Sequence, residues 1–240
     1  MQRFTVEVIS QTPHPQQTIY AAMHQDYAEG FVWNERSDWP PEEKCGDLVI
    51  RNLLKGGRGH YGPLEHPQIV LNCGWLPHST MQQIRTHRVG VSFDVQSFRY
   101  TGSRLLDVVA GKRDVEEVFY LRPVGDYSDR QGKKYTYTQD LRQQDIAWCV
   151  EACQRYKSHI DRGFAEEHAR GLIPFDVRQH WVMSANVRAL MHLLDLRWKA
   201  DAQLEAQKLC EVIWPHFQSW VPAIAAWYET TRLKKARLAP

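Results

Sequence analysis

Polar and apolar residues alternate from Phe4 to Ile9 (FTVEVI), the period-two pattern of a strand with one buried face. A short helix is expected over residues 17–29. After Trp39-Pro40-Pro41 the spacing turns helical, and Pro41 or Glu42 can start a helix that runs to about Lys55. Gly56-Gly57 would close it, because glycine takes the left-handed conformation that caps a helix C-terminus. Gly59 to Pro67 is a loop rich in Gly and Pro, and Gln68 to Trp75 reads as a second strand. A helix starting at Pro77 to Ser79 is expected to carry Met81 to about His87. Residues 90–98 read as irregular or extended. Arg99-Tyr100-Thr101 and Val118 to Leu121 read as further strands, and the polar stretch 123–138 as a loop. The pattern is helical from Gln139 to Arg170, with Gly163 the one interruption, and Gly171 and Pro174 end it. A second long helix is expected from Val177 to Trp198, then helices over 201–214 and 219–235, broken by Pro215 and Pro222. Strands gather in the N-terminal half and helices in the C-terminal half. That is the α+β class, here read as one domain over residues 1–240.

Composition narrows the picture. With 43% apolar residues the chain can bury a sizeable core. A net charge of +2 argues against the strongly basic face of a nucleic-acid-binding surface. The five cysteines are odd in number and form no Cys-x-x-Cys pair, so neither a disulfide framework nor a zinc site is expected. Cys149 and Cys153 lie four apart on a helix, a spacing that fits core packing. MQRFTVEVIS has no apolar segment of signal-peptide length, and no run approaches the ~18 apolar residues of a membrane span. A cytoplasmic location without membrane contact is the expectation.

The candidate chemistry concentrates in residues 82–100, QQIRTHRVGVSFDVQSFRY. Arg85, His87, Arg88 and Arg99 stand close together, and the stretch holds neither Lys nor Glu. Guanidinium groups bind carboxylates and phosphates bidentately, so this is an anion site in outline. A second concentration lies in residues 181–198, WVMSANVRALMHLLDLRW, apolar nearly all round yet carrying Asn186, Arg188, His192 and Arg197. Read as one helix, it puts Asn186 and Arg197 about 20° apart, with Arg188 and His192 on another face. A buried Arg costs several kcal/mol unless paired. These arginines therefore either find acids elsewhere in the fold or meet anionic ligands on two sides.

The residues from His87-Arg88 to Ser92-x-Asp94-x-x-Ser97-x-Arg99-Tyr100 resemble the signature of the flavin-dependent thymidylate synthases. Three further blocks resemble that family in the same order: His60 to His66 (HYGPLEH), Glu167 to Pro174 (EHARGLIP), and Asn186 to Arg197 followed by Gln203 and Glu205. The resemblance implies a homotetramer with FAD and nucleotide at subunit interfaces. It implies conversion of dUMP to dTMP, with methylenetetrahydrofolate as carbon donor and NADPH as reductant. It places His60, Thr86, His87, Arg88, Asn186, Arg188 and His192 at FAD, and Gln83, Arg85, Ser97, Phe98, Arg99, Arg170 and Arg197 at dUMP. It gives Arg197 the catalytic role, a fixed charge that stabilises negative charge developing on the pyrimidine. A cofactor on one side of the cationic helix and a substrate on the other would suit its two faces.

Departures from the family pattern are local. Thr86 stands where the signature has its first Arg, and Val89-Gly90-Val91 is one residue longer than the usual spacer. Asp94 replaces an Asn, Val95 an acidic residue, and His192 stands where Asn is common. They motivate a second reading, a related flavoenzyme acting on another pyrimidine nucleotide. A third is a non-catalytic nucleotide- or RNA-binding protein on the same fold, motivated by the 82–100 stretch and the basic tail Arg232, Lys234, Lys235 and Arg237. The tail by itself reads as a solvated helix end that complements the helix dipole.

Overall fold

The computed structural model describes residues 3–56 and 59–235; Gly57 and Arg237 lie outside these. Six strands are present among the described residues: β1 (Thr5–Gln11), β2 (Gln68–Pro77), β3 (Val91–Val95), β4 (Gly125–Ser128), β5 (Lys134–Tyr137) and β6 (Arg178–Asn186). The α-helices are α1 (Pro15–Gln25), α2 (Glu42–Val49), α3 (His78–Ile84), α4 (Phe98–Thr101), α5 (Ser103–Val109), α6 (Gln139–Asp161), α7 (Glu166–Ala169), α8 (Val187–Arg197), α9 (Leu204–Trp220) and α10 (Pro222–Thr231). One sheet has the order β1-β2-β6-β3, and β4 and β5 pair by themselves. The amide of Gln96 bonds the His180 carbonyl, and that of Asn186 the Gly90 carbonyl, so β3 and β6 run antiparallel.

The described residues cluster into two compact units, one of residues 3–5, 73–83 and 94–181, the other of 6–56, 59–72, 84–93 and 182–235. The first is built on a core of Phe98, Leu105, Val118, Phe119, Tyr156, Val177 and the buried pair Cys149 and Cys153. All five cysteines are free and buried, and Cys149 and Cys153 pack in the core as their four-residue spacing implied. Burial pushes the Cys153 thiol up to about 11, which leaves it protonated and unreactive at neutral pH. The second unit buries Ile19 and Met23 of α1, Val49 of α2, Leu190 and Leu194 of α8, and Leu209, Ile213 and Phe217 of α9.

Several expected elements differ. The stretch 177–198 is not one helix: Arg178–Asn186 is a strand and only Val187–Arg197 is helical. Its strand half alternates, with Trp181, Met183 and Ala185 buried and the residues between them half-buried. Asn186 marks the junction, where its side-chain oxygen accepts the Ala189 amide at 2.8 Å and caps α8. Asn186 and Arg197 therefore do not share a helix face. Phe98–Thr101 is a helical turn rather than a strand, capped by Ser97, whose Oγ accepts the Arg99 amide at 3.3 Å. Val118 to Leu121 makes a single bridge, Phe119 to Val177, and no strand.

The loop expected at 123–138 contains a hairpin, with Tyr127 opposite Tyr135. Its turn is tied by the Asp129 carboxylate, which accepts the amides of Gln131 and Lys133, and by Gly132 at φ 85°. Gly163, at φ 81°, follows the end of α6 instead of interrupting a longer helix. Pro215 lies inside α9 without breaking it. Ile213, Trp214 and Phe217 around it are buried, and that packing outweighs one missing backbone hydrogen bond.

Candidate active site

The second unit gathers most of the residues expected at the cofactor. Thr86, His87 and Arg88 follow α3, and the turn continues through Gly90. Gly90 has φ 69°, and a Cβ there would lie 2.9 Å from Asn186 Cγ and 3.0 Å from Ala189 Cβ. Only glycine lets this backbone close onto the α8 N-terminus, so the extra spacer residue is absorbed by a left-handed turn. His87 is buried and packs edge-on against His192, with ring centroids 5.4 Å apart. Arg197, in the last turn of α8, donates from Nε to His87 Nε2 at 3.0 Å and from Nη2 to Thr86 Oγ1 at 2.8 Å. Thr86, His87, His192 and Arg197 thus form one contiguous group.

Burial, Arg197 and His192 together pull the His87 pKa down to about 4. The ring is neutral at pH 7. Since Nε2 accepts from Arg197, the ring proton sits on Nδ1. An imidazolium there would place a second charge against the guanidinium. In the unfolded chain His87 returns to its ordinary value near 6.5, so acid favours unfolding: the contribution is intact above pH 6.5 and is lost as the pH falls toward 4. Urea denaturation is expected to show about 2 kcal/mol less stability from this group at pH 5 than at pH 6.5 or above. His87→Asn should flatten that segment of the profile; an unchanged slope would contradict the assignment.

Arg188 is not buried without a partner. Its Nη1 donates to Glu65 Oε1 at 2.5 Å, and its guanidinium lies 5.9 Å from the Tyr61 ring centroid. The acid comes from the His60–His66 loop, so of the two alternatives the sequence left open, Arg188 meets an acid elsewhere in the fold. Both partners are more than a third exposed, which limits the pair's worth to at most about 1 kcal/mol. His60 engages Asp26, Nε2 to Oδ2 at 2.7 Å. Arg85 and Arg88 are exposed.

The first unit gathers the other expected nucleotide residues. Ser97 caps the α4 turn, Phe98 is buried beneath it, and Arg99 projects outward to pair with Glu167 at 3.4 Å. Arg170, exposed, ends the α7 turn that holds Glu167, so the Ser97–Arg99 and Glu167–Arg170 blocks meet. Tyr156 donates to the Glu166 carboxylate at this junction. Gly102 closes it: a Cβ there would overlap Tyr156 Oη and lie 2.8 Å from Glu166 Oε2. Gly102→Ala is therefore expected to cost roughly 1–3 kcal/mol by overpacking, read as a lowered urea midpoint with unchanged slope. Gln83 is half-buried near the end of α3.

The sequence model of the family described as "Thymidylate synthase complementing protein" matches residues 7–223. The chain belongs to this family. A relative from Haloarcula marismortui named flavin-dependent thymidylate synthase is 31% identical, covering 98% of this chain and 99% of that one. Another of that name, from Halobacterium salinarum, is 30% identical with the same coverage. Among solved structures, a UMP/dUMP methylase PolB from Streptomyces cacaoi bound with 5-Br dUMP aligns at TM-score 0.71 and 21% identity, covering 99% of both chains. Thymidylate Synthase X from Helicobacter pylori with FAD and dUMP aligns at TM-score 0.62 and 19% identity, covering 92% of this chain and 99% of that one. These two likenesses establish the shared fold.

In this family member the residues singled out by sequence fall into two polar groups, each with an acid that sequence alone had not placed there. Glu65 holds Arg188, and Glu167 holds Arg99. Both acids stand inside the sequence blocks given above, and the signal for them was charge complementarity: an arginine on the α8 helix and one on the α4 turn each need an acid to hold them. His192 and Arg197 converge on His87, while Arg188 goes to Glu65. Arg88 beside neutral His87, and Arg188 held by Glu65, are donors of the kind that suits an anionic ligand.

Proposed function

We propose that the enzyme converts dUMP to dTMP with FAD as cofactor, methylenetetrahydrofolate as carbon donor and NADPH as reductant, as a homotetramer with FAD and nucleotide at subunit interfaces. The observation that supports this reading is the fork of Arg197 onto His87 and Thr86 at the end of α8. Two acceptors hold one guanidinium, so its charge is pre-oriented before any ligand arrives. Thr86, His87, Arg88, Asn186, Arg188 and His192 would hold FAD, with His60 beside it. When bound, the flavin supplies the redox chemistry that no protein side chain offers.

Gln83, Arg85, Ser97, Phe98, Arg99 and Arg170 would hold dUMP, the arginines on its phosphate and the Ser97 turn through hydroxyl and backbone. Arg197 would face the pyrimidine ring and stabilise negative charge developing there, which makes ring carbon five a better nucleophile. Neutral His87 orients that guanidinium without competing for the anion. Thr86, in the position of the family's first arginine, contributes an acceptor to Arg197 instead of a second cation.

The test is tritium release from dUMP labelled at ring carbon five, with purified protein, FAD, NADPH and methylenetetrahydrofolate, and labelled UMP in parallel. Release from dUMP alone supports the reading. Release from UMP in preference moves the assignment to a related pyrimidine nucleotide, and release from neither with flavin bound overturns it.

A further inference from the structure

A cavity of about 300 Å³ opens in the second unit, lined in part by Lys55, Tyr61, Trp227, Thr231, Arg232 and Lys235. Among the described residues it has two aromatic walls and three cations, and no acidic side chain lines it. The three cations are not equivalent. Arg232 is matched by the buried carboxylate of Asp195 at 2.6 Å. Lys55 and Lys235 are exposed, and Lys235 is steadied by donating from Nζ to the Thr230 carbonyl at 2.6 Å. Two lysine charges therefore remain for a ligand, as many as a phosphate dianion carries.

The basic tail is thus not simply a solvated helix end: Arg232 is half-buried on Asp195, and Lys234 lies 5.3 Å from the Trp198 ring centroid. The cavity also adjoins the proposed flavin position, because Tyr61, one of its walls, carries the Arg188 guanidinium.

Size decides what fits. Small-molecule sites span roughly 300–1,000 Å³, so this cavity takes one ring system with its phosphate and not a whole dinucleotide. An aromatic wall such as Trp227 stacks a purine, and lysines serve as point charges for phosphate. We propose that this cavity receives the phosphorylated adenosine end of the nicotinamide reductant, with Trp227 and Tyr61 flanking the ring and Lys55 and Lys235 selecting the extra phosphate that distinguishes NADPH from NADH. The proposal rests on the thymidylate synthase reading above. A flexible glutamate tail of a folate would leave the aromatic walls without a partner, and it is an alternative the test resolves.

The experiment uses the flavin-loaded full chain and the double variant Lys55→Gln/Lys235→Gln, which removes both charges and keeps polar side chains. Trp227→Leu serves as a second variant. Steady-state rates are measured against NADPH, NADH and methylenetetrahydrofolate, and tritium release is also driven by dithionite in place of the nicotinamide.

The native enzyme is expected to prefer NADPH. In the double variant the KM for NADPH should rise roughly 10- to 100-fold and approach that for NADH, with kcat, flavin content and dithionite-driven release unchanged. Trp227→Leu should raise the KM for both reductants alike. An unchanged KM for NADPH in the double variant would overturn the proposal, as would loss of flavin in either variant or a rise confined to the folate. No dithionite-driven release by the native enzyme would instead strike the thymidylate reading, so the two failures are separable.

Discussion

Replacing Arg197 with alanine is expected to lower the rate of tritium release from dUMP by roughly 10²- to 10³-fold while the protein stays folded. That range is what loss of one pre-oriented donor costs when it faces charge that develops in the transition state. The side chain is half-buried, and among the groups it leaves behind His87 Nε2 and Thr86 Oγ1 can be met by water. Lysine at the same position keeps the charge but cannot fork onto both acceptors, so Arg197→Lys should recover only part of the rate. The measurement is kcat with saturating dUMP, beside a thermal melt of each variant. An alanine variant within about tenfold of the native rate, at matched flavin content, would remove Arg197 from the chemistry.

Asp195→Leu carries the largest expected effect on stability. The carboxylate is almost fully buried, accepts from Tyr228 Oη at 2.9 Å with Oδ1, and meets Arg232 Nη2 at 2.6 Å with Oδ2. Burial raises its pKa, and the bonds from Arg232 and Tyr228 pull the other way. Removing it would leave a mostly buried guanidinium and a buried hydroxyl without their acceptor. Breaking a buried pair from one side costs about 3–5 kcal/mol, which for a chain of this size lowers Tm by roughly 6–20 °C. Adding Arg232→Met to Asp195→Leu should restore most of the loss, because an apolar pair of similar volume can replace an ion pair. A double variant no better than the single one would show that the cost lies in packing. Asp195 also ties α8 to the end of α10, which is why the helix that carries Arg197 depends on a residue of the basic tail.

Local chemistry made much of this legible. The alternation of Phe4 to Ile9 and the apolar run after Pro67 became β1 and β2, because a half-buried strand needs only its own pattern. The start of α2 after Pro41 follows from a backbone rule confined to one or two residues. The chemistry-bearing blocks stand out in the sequence for the same reason: arginines without lysine or glutamate among them form a pattern suited to anion recognition.

The rest depended on contacts distant in sequence. Trp181 to Ala185 is as compatible with a buried helix as with a buried strand, and pairing beside β2 and β3 settles it as β6. Pro215 remains helical because the core around Ile213 and Phe217 holds it. Arg99-Tyr100-Thr101 is rich in strand formers, yet Ser97 caps it as a turn packed over Phe98. Which side chain meets Arg188 or Arg197 is likewise invisible in spacing alone. Glu65 and His87 are 123 and 110 residues away from them, and only the folded chain brings a donor and its acceptor within hydrogen-bond distance.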